Sequence, residues 1–193
     1  MKALSAQSDP QHCAHLAWLH ALYILLEKAR RDGLLALEET VLEPGGPNGP
    51  FGRFPLTRKE PYLTFVRDVC QQRLAPVEGE ALRRYGEAAL WGLRHHSRGM
   101  RSLDESLLRT IWPTLEAGLV DGLSPTAACE FGRQAMPWRT RPSCSDLFDS
   151  LKATPRRLNL ETGEAPGFDE RIERIERFVA SLQSDEPSES PGR

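Results

Sequence analysis

No stretch of this chain stays apolar for long. The most apolar run, Leu16 to Leu26, reads LAWLHALYILL, stops after 11 residues and contains His20. A membrane span needs about 20 apolar residues, so this run predicts a core helix and no direct membrane insertion. The opening MKALSAQSDPQH lacks a long apolar h-region, so no secretory signal is expected. Cysteine is sparse. Cys13, Cys70, Cys129 and Cys144 lie far apart with no CxxC pair. That spacing favours reduced, idle thiols in a cytoplasmic protein over a disulfide framework. Neither sign of charge dominates. The 25 Lys and Arg against 27 Asp and Glu leave a net charge of −2, which removes the electrostatic case for nucleic-acid binding. Walker loop, Rossmann fingerprint, nucleophile elbow and zincin motif are all missing. No carboxylate pair stands out on an apolar face, so neither catalysis nor a cofactor is expected.

What is present fits a helical protein. With 193 residues, 39% hydrophobic and 27% charged, the chain can bury one proper core. Apolar residues recur at helical spacing along most of it. The expected fold is all-α, a bundle of about seven helices with one Pro/Gly-rich loop. The first helix runs from Gln11 to about Arg31. Residues 43–57, EPGGPNGPFGRFPLT, form the loop, pinned by a buried Phe51 or Phe54. Glu60-Pro61 opens a helix with the stripe Tyr62, Phe65, Val66, Val69 and Leu74. Pro76 opens the next, which runs to about Arg94 with Val77, Ala81, Leu82, Ala88, Ala89 and Leu93 inward.

Further on, Ser102 to Glu105 has the capping-box pattern. Pro113, inside the stripe that follows, predicts a kink or break near Arg109. Gly122 stops that helix. Ser124-Pro125 caps and starts another. The expected layout is a flexible N-terminus over 1–10, a helical domain over 11–152 and a linker over 153–167. An amphipathic helix over 168–183 and a disordered tail over 184–193 complete it. The 168–183 stripe is Phe168, Ile172, Ile175, Val179 and Leu182. Trp18, Trp91 and Trp112 are core candidates, while Trp138 belongs to a loop.

The stretch with most to say is Lys28 to Val41, KARRDGLLALEETV. As a helix it gathers Leu34, Leu35, Leu37, Val41 and Leu42 on one side and Glu38 and Glu39 on the other. Lys28, Arg30 and Arg31 precede it. Asp32 is the candidate N-cap, with Gly33 as the bend between two helices. The plain alternative is a solvated charged face on a core helix. His12, Cys13 and His15, and separately His95 and His96, are the candidate metal clusters. Neither has the spacing that metal sites require, so no metal is expected.

ARRDGLLALEE resembles the A-R-R-x-G-L-L-A-L-E signature of MotA-type flagellar stator proteins, at the cytoplasmic end of their second membrane helix. SPTAACEFGRQAMP, residues 124–137, resembles the second family signature, S-x-x-x-A-V-E-F-G-R-K. RPSCSDLFDSL, Arg141 to Leu151, matches the R-P-S-F-x-E-L-E segment after it. Glu130, Phe131, Gly132, Arg133, Arg141, Pro142, Ser143 and Leu147 fit. Cys144, where the family favours an aromatic, and Asp149, near a usual Glu, depart from it. Between His96 and Ser102, where the family inserts two membrane helices, stand only SRGMR.

The resemblance implies the cytoplasmic domain of a stator subunit without its membrane helices. It places Arg30 and Glu38, with Arg31 and Glu39 beside them, at positions whose charges face the rotor ring. Gly33, Glu130-Phe131-Gly132-Arg133, Arg141 and Pro142 are read as structural motif residues, with Phe131 filling the core and Gly132 and Ala128 letting a helix approach. Without the ion path, the expected function is non-catalytic protein binding at the flagellar motor, to rotor ring or stator subunits. Without the helices that assemble the ring, a soluble monomer or weak oligomer is expected. A scaffold or regulator in a cytoplasmic assembly unrelated to motility is the alternative, and an enzyme on a borrowed scaffold is the third.

Overall fold

Helix α1, Pro10–Asp32, is the centre of the molecule. Its apolar residues are not confined to one stripe. Trp18, Leu19, Ala21, Leu22, Leu25 and Leu26 are all buried, together with His15 and His20. A helix that is apolar around most of its circumference has to be covered from several sides. In this computed structural model it is. The described residues are 10–38, 42–43, 45–46, 49–96 and 105–158.

Two 3₁₀ turns follow α1, Leu34–Leu37 and Pro55–Thr57. Then come α2 (Tyr62–Leu74), α3 (Gly79–His96), α4 (Glu105–Leu115), a π-helical segment (Glu116–Val120), α5 (Pro125–Ala135) and α6 (Cys144–Leu158). The fold is all-α, with six α-helices and no strand among the described residues. Helices α4, α5 and α6 and both 3₁₀ turns pack on α1, while α2 and α3 pack on each other and α3 meets the π segment.

The Pro/Gly loop is tied down by aromatic contacts. Phe51 and Phe54 are both buried. The Phe51 ring lies 5.3 Å from that of Trp18, and Trp18 in turn meets Tyr62 at 5.9 Å. Thr57 Oγ1 donates to the Phe51 and Phe54 carbonyls at 2.8 and 2.7 Å, which closes the loop on itself.

Several boundaries differ from expectation. Helix α3 begins at Gly79 and not at Pro76, and Ala81 and Ala88 face solvent. Its buried residues are Leu82, Gly86 and Leu90, which share one face at i, i+4 and i+8, and Ala89 and Leu93, with Val77 just before the helix, pack against the core as expected. Trp91 falls one step off that face and is 62% exposed, stacked on His95 at 3.8 Å; it is not a core residue. Trp18 and Trp112 are buried and Trp138 is exposed, as expected. Helix α4 runs unbroken past Arg109 to Leu115 with Pro113 inside it. Pro113 frees only the Arg109 carbonyl, and Arg109 is an exposed residue, so the helix loses one hydrogen bond without burying an unpaired group in the core. The irregularity comes later, as the π segment.

Arg83 of α3 secures that segment. It donates to Glu116 at 2.6 Å, Asp121 at 2.7 Å and its own helix neighbour Glu80 at 2.9 Å. Gly122 ends the segment with φ 67°. Ser124 then accepts from the Ala127 amide at 3.3 Å, and Pro125 holds the first helical position. Helix α6 starts on a second cap: Ser143 Oγ accepts from the Asp146 amide at 3.1 Å. It continues to Leu158, so residues 153–158 are helix where a linker was expected. Of the expected flexible N-terminus over 1–10, Pro10 is the first residue of α1; residues 1–9, Glu39, Val41, the connection after His96, the expected Ser102 capping box, the rest of the expected linker and the expected 168–183 helix and tail lie outside the described residues.

Candidate functional site

Helix α1 carries its basic end to the surface. Arg30 and Arg31 are exposed, and Gly33 then breaks the helix with φ 85°, a backbone conformation that side chains with a Cβ rarely adopt. Asp32 does not cap a following helix. It is the last residue of α1, and its carboxylate accepts from Arg31 Nε and Nη2 at 2.7 and 2.9 Å. That hydrogen-bonded cation holds the Asp32 carboxyl below its ordinary range. The bond is exposed, and such pairs add little to folding.

The expected helix after Gly33 opens as a 3₁₀ turn, Leu34–Leu37, and Glu38 and Leu42 beyond it are α-helical. Leu37 alone reaches the core. Leu34 is 37% exposed, Leu35 78% and Leu42 74%, so the expected buried stripe faces outward. At a third of a turn per residue Leu35 is turned away from the side of Leu37, while Leu34, one full turn before Leu37, shares that side and is the less exposed of the two. Glu38 follows, also exposed. Neither Arg30 nor Glu38 makes a side-chain hydrogen bond or ion pair among the described residues.

Between α1 and this turn lies an open groove of about 420 Å³, lined by Lys28, Leu35, Ala36, Glu38, Leu42 and Glu43. Its lining is mostly apolar and includes charges of both signs. The sequence pointed to the charges. It missed the exposed leucines, because the same residues read equally well as a buried helical face.

The second motif is a joint between helices. The face α5 buries is Pro125, Ala128, Cys129, Gly132 and Arg133, at i, i+3, i+4, i+7 and i+8. Phe131 is off that face and 52% exposed, which corrects its expected place in the core. A methyl group at Gly132 would overlap Thr114 Oγ1 and lie 2.8 Å from both Leu19 Cδ2 and the Thr110 carbonyl, so the three helices meet there at glycine distance. Arg133 donates to Glu130 at 2.6 and 2.7 Å and to the Pro142 carbonyl at 2.9 Å. That pairing pulls the Glu130 carboxyl below its ordinary value and raises Arg133. Arg141 donates to the Gln134 and Met136 carbonyls at 2.6 and 2.9 Å, closing the C-terminal end of α5. Gly132, Glu130, Arg133, Arg141 and Pro142 thus fix how α5 joins α6.

The histidines near the start of α1 are used in packing. His15 is buried, with Nδ1 2.8 Å from Thr110 Oγ1 and Nε2 3.1 Å from Ser106 Oγ; His12 Nδ1 donates to the Thr140 carbonyl. No spacing rule in the sequence pointed to these partners, which lie on α4 and on the loop before α6. Among the described residues, no group of three or more His, Cys, Asp or Glu could hold a metal ion. No described helix is long and apolar enough to cross a membrane.

Fold and surface together define a class: an all-α bundle around one central helix, with an apolar groove of mixed charge at that helix's end. No protein family, curated protein or solved structure matches the chain.

Proposed function

We propose that this chain is a non-catalytic, cytoplasmic protein-binding protein of the MotA-like type, acting at the flagellar motor on the rotor ring or stator subunits without conducting ions. The observation that carries the reading is the exposure of Arg30 and Glu38. Both are exposed, and neither has a side-chain partner among the described residues. Glu38 lines the groove with the exposed Leu35 and Leu42, and Arg30 lies in the last turn of α1, whose Lys28 lines the same groove. Charges with no structural task next to apolar surface are what a protein interface needs: the leucines supply buried area and the charges supply partner choice and on-rate. The sequence resemblance in ARRDGLLALEE supports the same two positions.

The test is tagged capture from motile cells, with wild type beside Arg30→Glu and Glu38→Lys. The expected result is recovery of rotor or stator components by wild type, reduced by either reversal and most strongly at low salt, since charges further apart than about 8 Å are already screened at 0.15 M. Undiminished capture by both variants would remove this surface from the interface. Wild-type recovery of some other assembly and no motor component would overturn the motility assignment.

A further inference from the structure

We infer that the segment Phe168–Gln183 of the same chain docks in the groove lined by Lys28, Leu35, Ala36, Glu38, Leu42 and Glu43. The inference goes beyond the protein-binding reading and stands without it; where both hold, the segment and the partner compete for Leu35, Glu38 and Leu42, and the partner binds by displacing the segment.

Three observations lead there. The first is an apolar surface that the described residues leave open: Leu35 and Leu42 are 78% and 74% exposed on a groove of about 420 Å³. The second is the course of the chain. Helix α6 runs along α1 in the same direction. Near its start, His12 bonds the Thr140 carbonyl, and further on Ser150 Oγ lies 3.2 Å from His20 Nε2. Eight more helical residues advance about 12 Å, so α6 gains from Ser150 to Leu158 what α1 gains from His20 to Lys28. The chain therefore leaves α6 near the level of the groove's α1 wall. Residues 159–167 span up to about 30 Å, enough to bring Phe168 onto it.

The third observation is charge. As a helix, 168–183 presents Phe168, Ile172, Ile175, Val179 and Leu182 on one face. At 3.6 residues per turn, Asp169 and Glu176 flank that stripe on one side and Arg171 and Arg174 on the other. The groove's charges are divided between its two chain segments in the same manner: Lys28 belongs to α1, and Glu38 and Glu43 to the stretch after Gly33. One orientation sets acid against Lys28 and arginine against the two glutamates while the stripe covers Leu35 and Leu42.

The test uses the full chain. Leu35→Cys or Leu42→Cys is combined with Ile175→Cys in a Cys144→Ser background, since the other three native cysteines are buried. Mild oxidation is expected to give an intramolecular disulfide at least tenfold faster than a control pair, Glu87→Cys with Ile175→Cys, Glu87 being exposed on α3. In parallel, hydrogen exchange of 168–182 is expected to speed up at least tenfold in the full-length Leu35→Asp variant. Cross-linking no faster than the control, or disulfides only between two chains, overturns the inference. So does exchange that Leu35→Asp leaves unchanged. None of these readouts involves an external partner, so they fail or succeed independently of the capture experiment.

Discussion

Gly132 of α5 lies so close to Thr114 of α4 that a single added methyl group would overlap the threonine hydroxyl oxygen. Thr114 Oγ1 cannot swing away without cost, because it donates to the Thr110 carbonyl at 2.8 Å and is buried. Gly132→Ala is therefore expected to destabilise the protein. The overpacking cost of about 1–3 kcal/mol exceeds the gain of about 1 kcal/mol from helix propensity. Gly92 of α3 is the control, since a Cβ there meets nothing within 4 Å. Gly92→Ala should stabilise by roughly 0.5–1 kcal/mol. Thermal melts of the two variants should move in opposite directions.

Glu130 makes stability depend on acid. Its carboxyl is depressed by the hydrogen bonds from Arg133, so the folded state holds it ionised more firmly than the unfolded state does. A depressed carboxyl contributes stability that is present above its ordinary value of 4.5 and is lost as pH falls through the lower folded value. Glu130→Gln should melt below wild type at pH 7. The gap should close on titration towards pH 3, read by circular dichroism at each pH.

The thiols should divide one against three. Burial pushes Cys70 up to about 12 and raises Cys129 as well, and Cys13 is also buried, while Cys144 is exposed. Since the thiolate is the reactive form, an aromatic disulfide reagent should consume one thiol per native chain. The other three should react only after denaturant. Two or more fast thiols in native protein would contradict the burial of α1, α2 or α5.

Arg30→Glu and Glu38→Lys should leave folding almost untouched. Both side chains are exposed and without side-chain partners among the described residues, so each reversal is expected to change stability by no more than about 0.5 kcal/mol. A denaturant titration of each purified variant measures this. A loss of 2 kcal/mol or more would make the residue a structural tie and remove the ground for assigning it to a partner.

Sequence alone determined the elements whose signals are local. Ser124-Pro125 fixes the start of α5, because the cap hydroxyl and the locked proline act within one turn. The run from Leu16 to Leu26 is apolar on all sides, so it had to become the central helix whatever packed around it. Gly132 and Phe51 were legible as a close approach and a loop anchor. Tertiary structure decided which apolar faces are hidden. Phe131 and Trp91 look like core residues by composition, yet each falls one step off the face that its neighbours cover. The fate of Leu34, Leu35 and Leu42 was likewise open. Periodicity says which residues share a side, but burial depends on what stands opposite, and the 3₁₀ turn after Gly33 buries only Leu37. The partners of His15 and Arg83 lie about 30 to 95 residues away, a separation over which only the folded chain, and no local pattern, brings two side chains together.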